Sequence, residues 1–360
     1  SYLVSVPPTL SATIPVTFTD VDLGDIAHTA DITNVIASGQ TQGLSLSHEE
    51  LINLVSPGAI AKVSGSTSGS MNLSFNAPTA ALDYLGEGQV LTLTYTVAVD
   101  DGHEGIGTRD FTITITGTND APTLTSFTAP LTTGNEDSAI EVTLANLLAQ
   151  GNEIDVDGTV NAFVVKSLAS GTLKIGADAA SATDWNATTN KIIDATHKAY
   201  WTPAANANGT LSAFTAVARD DMGAESVTPV TASITVTPQN DAPTLTAITT
   251  LSGASEDLFK EITYADLAAA ANEADIDSTN LSFRVEAISS GTLQKYNSTT
   301  ANWESVTSGT TLAVGEKLQW QGAQDANGIL NAFTVKAYDG ELASATAVQV
   351  QINTAAQNDA

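Results

Sequence analysis

Apolar and polar residues alternate along much of this chain. In "LTLTYTVAVD" (91–100), Leu91, Leu93, Tyr95, Val97 and Val99 fall on one side of an extended strand, and three threonines fall on the other. A period of two with many β-branched and aromatic residues marks a strand buried on one face. The pattern returns in "RDFTITITG" (109–117), "SAFTAVARD" (212–220), "TASITVTP" (231–238), "NAFTVKAYD" (331–339) and "TAVQVQINT" (346–354). These segments come in pairs around acidic, glycine-containing turns: "DDGHEGIG", "DDMGAE" and "DGELAS". Each pair predicts an antiparallel hairpin. Three stretches depart from the pattern. "SLSHEELINLV" places Ser47 ahead of Glu49 and Glu50 and an apolar run, which predicts an N-capped short helix. "TLANLLAQ" (143–150) and "TYADLAAAAN" (263–272) hold the corresponding places further on.

The hairpins belong to a repeat. "NDAP" begins at Asn119 and Asn240, and the sequence closes on "AQNDA" with Asn358, giving spacings of 121 and 118. "NEIDVDG" from Asn152 matches "NEADIDS" from Asn272, and "SGTLKIG" from Ser170 matches "SGTLQKY" from Ser290. "NGTLSAFTAVARDD" from Asn208 matches "NGILNAFTVKAYDG" from Asn327. Offsets of 119 or 120 throughout mean one structural unit used twice. The first segment differs in its middle but ends the same way, and its "FTDVDLGD" takes the place of "IDVDG". The expectation is three domains, 1–118, 119–239 and 240–360, within a longer array. Many short antiparallel strands predict an all-β class: tandem Greek-key β-sandwiches of immunoglobulin or cadherin type, in an extended rod.

Composition narrows the function. Among 360 residues, 40 Asp and Glu face 12 Lys and Arg, for a net charge of −28. Such a chain repels phosphate backbones and anionic headgroups, which argues against nucleic acid and membrane partners. There is no cysteine, hence no disulfide, thiolate metal site or cysteine nucleophile. No apolar run reaches the length of a membrane-spanning helix. "SYLVSVPPTL" has no basic n-region or cleavage site, so no classical signal peptide is read there.

The acidic residues are not scattered. Asp-x-Asp recurs as Asp20/Asp22 (with Asp25), Asp155/Asp157 and Asp275/Asp277. The hairpin turns carry Asp100/Asp101, Asp220/Asp221 and Asp339, and the linkers carry Asn119/Asp120, Asn240/Asp241 and Asn358/Asp359. Glu136/Asp137 and Glu256/Asp257 complete the second and third repeats. In an antiparallel sandwich the Asp-x-Asp loop, the last hairpin turn and the incoming linker can meet at one end. Carboxylates gathered there repel unless a cation neutralises them. Ca²⁺ takes six to eight hard oxygen ligands in flexible geometry and suits such loops better than Mg²⁺. Pro in the linker fixes φ and favours an extended residue before it, so a metal held by Asn and Asp would turn a hinge into a strut. The plain alternative is turn chemistry, since Asp, Asn and Gly favour turns anyway.

"FTDVDLGD", "YTVAVDDGHEG" and "ITGTNDAPTLT" make the first segment resemble the VCBS repeat of giant bacterial surface proteins. The second and third resemble bacterial cadherin-like repeats with the "NEDS…DVDG…NDAP" pattern. The resemblance covers the whole chain and implies an extender region of an RTX-type adhesin. It further implies type I secretion, a cell-surface location, Ca²⁺-dependent rigidity and a role in adhesion and biofilm formation. In cadherin-type junctions a Glu at the base of one domain joins the linker and the next Asp-x-Asp. By that pattern Glu136 would reach Asn240, Asp241, Asp275, Asp277 and Asp339. The first segment has no clear Glu-Asp near its start, so the site of Asn119, Asp120, Asp155, Asp157 and Asp220 is expected to be poorer in ligands. The implied partners are calcium ions and neighbouring repeats of a monomeric chain, with a cell-surface glycan or protein bound through other domains. No RTX nonapeptide and no full EF-hand loop occurs.

Catalysis and ligand binding are the other function classes these residues bear on. Paired carboxylates such as Asp100/Asp101 evoke glycoside hydrolysis, but neighbours on one turn do not flank a sugar. The four histidines, His28, His48, His103 and His197, have no zinc spacing. For ligand binding, Trp201 and Trp320 occupy matching positions that read as core. Trp185 and Trp303 lie in more polar stretches that read as hairpin loops and could stack on sugar rings.

Overall fold

The computed structural model describes residues 9–358. Asp359 of the last linker pair, and most of the segment read for a signal peptide, lie outside them. Helices are confined to short pieces and the rest is strand and loop, so the chain is all-β. It divides into two compact units, Ser1–Thr237 and Pro238–Ala360. The first unit contains two separate apolar cores, one running from Val16 to Ile115 and one from Leu124 to Val236. The second unit contains one, from Leu245 to Ile352.

The first core lies between two sheets. Strands Thr9–Thr19, Ser68–Pro78 and Val55–Pro57 form one, with Ala61–Lys62 also paired to Ser68–Pro78. Thr29–Gly39, Val90–Asp100 and Ile106–Thr116 form the other. The predicted alternation is realised: Leu91, Leu93, Tyr95 and Val97 are buried, with the threonines between them half-exposed.

In the second sandwich one sheet runs Ile192–Asp194, Val160–Leu168, Gly209–Asp220, Val230–Thr237, Thr133–Asn135. The facing sheet runs Thr183–Asp184, Thr172–Gly176, Lys198–Thr202, Ile140–Val142. The third sandwich repeats both, with Leu251–Ser255 beside Val348–Ala355 as Thr133–Asn135 lies beside Val230–Thr237; these two pairings are parallel. Trp201 and Trp320 are fully buried, and each indole N–H donates 2.8 Å to a backbone carbonyl, Ser170 and Ser290 respectively. Burying the ring while satisfying its one donor makes it a core anchor.

The three short helices, His48–Asn53, Leu144–Gln150 and Tyr264–Ala270, each begin with a reciprocal capping box, on Ser47/Glu50, Thr143/Asn146 and Thr263/Asp266. Each buries one leucine in its sandwich: Leu51, Leu147 and Leu267. In the second and third domains the helix delivers the chain directly into the acidic loop.

Candidate functional site

The linker and the Asp-x-Asp loop run antiparallel and are fastened at three points. The backbone N–H of Asp120 donates to Asp157 Oδ2 at 3.1 Å. Thr123 and Ile154 exchange backbone hydrogen bonds of 2.8 and 3.1 Å. Asn152 Oδ1 accepts from the N–H groups of Thr125 and Ser126, and its amide donates to Thr125 Oγ1. The third domain repeats this set on Asp241/Asp277, Thr244/Ala274 and Asn272 with Thr246 and Ala247. Asn152 and Asn272 stood in the quoted motifs, but their stapling role was not read from the sequence.

That pairing fixes which way the loop residues face, and the result inverts the usual order. Glu153, Asp155 and Asp157 turn inward, whereas Ile154 is 69% and Val156 is 54% exposed. In the third domain Ile276 is 65% exposed between Asp275 and Asp277. The inward carboxylates are short of donors. Asp155 Oδ2, Asp157 Oδ1, Glu153 Oε2, Asp275 Oδ2 and Glu273 Oε2 are buried without a hydrogen-bond partner. Burial raises Asp155 above the ordinary carboxylate value, and the adjoining Asp157 carboxylate adds to it. Asp275 is raised in the same way, by burial and by the adjoining Asp277 carboxylate. Two acceptors face each other, with only a shared proton or a cation to reconcile them.

The hairpin turn closes on the same place. Asp220 is 1% exposed; its Oδ1 accepts from the N–H groups of Met222, Gly223 and Ala224, and its Oδ2 accepts from the Asn119 amide at 2.9 Å. Burial raises its pKa, but the bonds from Asn119 and the turn outweigh this and leave it lowered. Asp339 and Asn240 repeat the contact at 2.9 Å. Asp221 accepts from the Thr159 N–H, and Gly158 lies between: a Cβ there would stand 2.8 Å from Asp155 Oδ2 and 2.9 Å from Asp221 Oδ1. The glycine keeps open a cradle between two carboxylates. The third domain has Ser278 and Gly340 in place of Gly158 and Asp221, so its cradle has one carboxylate fewer.

The base glutamates are placed as follows. Glu136 is buried, meets the Asn208 amide at 3.2 Å and bonds through its N–H to the Thr237 carbonyl. Glu256 meets the Asn327 amide at 3.0 Å and accepts from the Gln357 N–H; these bonds hold its carboxyl below the ordinary value. The neighbouring Asp137 and Asp257 take left-handed backbone conformations and bond to Asn206 and Asp325. The first domain supplies a counterpart that sequence reasoning missed. Glu87 Oε2 accepts from the Asn119 N–H at 3.1 Å, and burial together with Asp157 and Asp83 raises Asp120. A Cβ on Gly86 would stand 3.2 Å from the Asp157 carbonyl, so the first domain approaches the acidic loop closely. The junction expected to be poor in ligands thus has two acidic neighbours from the loop at 83–87.

The first acidic loop is arranged differently. Lys62 Nζ donates to Asp20 Oδ2 (2.8 Å), to the Asp22 carbonyl (2.8 Å) and to the Asp25 carbonyl (2.6 Å). His28 Nε2 also meets Asp20 Oδ2 at 3.1 Å, and His103 meets Asp25 at 3.3 Å. The Lys62 bond is the main cause holding Asp20 below its ordinary value. Asp100 accepts from the Gly102 N–H, and Asp101 from those of His103 and Gly105.

Among the described residues no three His, Asp or Glu side chains are already drawn close enough together to hold an ion. The fit to Ca²⁺ is therefore one of chemistry and placement. In the second and third domains the donors are hard oxygens on loops, several are orphaned, and Gly158 leaves room between two of them. Trp185 and Trp303, read as exposed loop residues, are half-buried and already have partners. Trp303 lies edge-on to Tyr296, and the Lys317 ammonium stands over both rings. Trp185 packs against the second core.

No protein-family model and no curated protein sequence matches the chain. Solved structures do. A crystal structure of mouse cadherin-23 "EC22-24" is 15% identical with a TM-score of 0.44, over 94% of this chain and 90% of that one. The protocadherin GammaB4 extracellular domain is 17% identical with a TM-score of 0.43, over 97% of this chain and 47% of that one. An endo-fucoidan hydrolase of glycoside hydrolase family 107 is 15% identical at a TM-score of 0.24, over 96% and 42%. At these scores the likenesses carry no argument about function, and the functional reading rests on the residues.

Proposed function

We propose that this chain is an extender segment of a large extracellular adhesin, in which Ca²⁺ bound at the domain ends orders the linkers. One observation carries the reading. Two domains place matching inward carboxylates, Glu153 and Asp155 in one and Glu273 and Asp275 in the other, with buried oxygens lacking donors, beside a linker stapled to the same loop. In the second domain Asn119, Asp120, Asp155, Asp157, Asp220 and Asp221 would hold the ion, with Glu87 from the preceding domain. In the third, Asn240, Asp241, Asp275, Asp277 and Asp339 would do so. Glu136 and Glu256 occupy the foot of their domains, as Glu87 does in the first. The ion would cancel carboxylate repulsion and fix the linker's path. Type I secretion, the bacterial cell surface and biofilm formation belong to this proposal through the VCBS and cadherin-like resemblance.

The test is calcium titration calorimetry with melting curves and small-angle scattering, in Ca²⁺ and in EGTA. Ca²⁺ should bind, raise the melting temperature and lengthen the maximum dimension. No bound Ca²⁺ and identical curves in both buffers would sink the proposal.

A further inference from the structure

The first acidic loop matches the other two in sequence, yet its oxygens are already engaged. Lys62 sits on the two-residue strand Ala61–Lys62, which pairs with Gly69 and Ser70 and so aims the side chain under the loop at 20–25. Its side chain is 0% exposed. Its three ammonium hydrogens meet three oxygens, one carboxylate and two carbonyls, at 2.6 to 2.8 Å. Carboxylate and carbonyl oxygens converging from one loop are what a hard cation is offered in such sites. An ammonium is a compact point charge that can stand in the same place. Among the described residues, no Lys, Arg or His forms an ion pair with Asp155, Asp157, Asp275 or Asp277.

We infer that Lys62 is a built-in replacement for the metal in the first domain. Its loop, with Asp20, Asp22 and Asp25, then stays ordered without Ca²⁺, unlike the loops of the second and third domains. This rests on the calcium reading above and changes its scope: Asp20, Asp22 and Asp25 are not calcium ligands in the native chain. A tethered cation cannot be diluted or chelated, so this end of the first domain would not respond to calcium.

Hydrogen exchange on the full chain, in Ca²⁺ and in EGTA, separates the two ideas. Peptides covering 152–158 and 272–278 report the calcium reading. Peptides covering 20–28 and 61–69 report Lys62. In the native chain the latter should exchange equally in both buffers. In Lys62→Met they should exchange at least tenfold faster in EGTA and slow again in Ca²⁺, because the vacated oxygens now accept the ion. Calcium-dependent protection of 20–28 in the native chain overturns the inference. So does a Lys62→Met loop that Ca²⁺ fails to reorder, or one that never loosens. Should Lys62→Met not fold, seen as lost protection of 90–100, the native chain decides.

Discussion

The loops at Asp20 and Asp155 begin from the same Asp-x-Asp pattern and end in opposite electrostatic states. The first is closed by a buried lysine and a histidine; the second has carboxylate oxygens that meet no donor. The motif therefore specifies a concentration of negative charge and leaves open what neutralises it. A tethered ammonium makes the charge a fixed part of the fold. An ion from solution makes it a function of the medium, because a ligand that binds only the folded state adds stability in proportion to the logarithm of its concentration.

The comparison is broken most directly by removing calcium. For a site held at a hundredfold excess over its Kd, chelation should cost about 2.7 kcal/mol in apparent stability. The melting step of the second and third domains should move accordingly, and a scan without that shift would remove the contrast. Next in size, Asp157→Ala should weaken one Ca²⁺ site by at least the ten- to hundredfold typical even of outer-shell changes. Calorimetry should show one class of site lost and the rest intact.

Glu87→Gln should weaken the site of Asp120 by about tenfold, the low end of the outer-shell range, and leave that of Asp241 untouched. Unchanged affinity at the site of Asp120 would mean that Glu87 is no part of it. Asp20→Asn should lower protection of the first domain by the same factor in Ca²⁺ and EGTA, since its lost partner is a lysine.

The smallest effect is in titration. Asp155 and Asp275 have folded pKa values above the ordinary 3.8. Their contribution to stability is present below 3.8 and is lost as pH rises through the raised values. Asp220 and Asp339 are lowered, so their contribution is present at neutral pH and lost on acidification. Carboxyl NMR in EGTA should therefore show Asp155 and Asp275 titrating late, and Ca²⁺ should bring both down.

The strands, the hairpins, the capped helices and the repeat were legible because each is local: a period of two, a Ser or Thr three residues before its partner, a constant offset. The grouping of linker, Asp-x-Asp and hairpin turn followed from sandwich topology. What stayed hidden was joined by the fold alone. Lys62 is 42 residues from Asp20, and Glu87 is 32 from Asn119. Neither residue lies in a repeated motif, so nothing local announces its partner. Glu153 and Glu273 were visible inside "NEIDVDG" and "NEADIDS", where acids spaced by two with apolar residues between them signal a strand facing the wrong way round. That signal needed the question of which face is buried.

Thr123 has a consequence beyond fastening the linker. By exchanging both backbone hydrogen bonds with Ile154, it sets the parity of the acidic loop. A one-residue slip against this template would turn Ile154 and Val156 inward and the acids to water. Hydrophobicity favours that slipped form, by about 1.5–3 kcal/mol for each large apolar side chain fully buried. The Thr after Asn-Asp-Ala-Pro, present again as Thr244, thus selects the less greasy of two phases. The linker spells out the face on which the next domain's charge will appear.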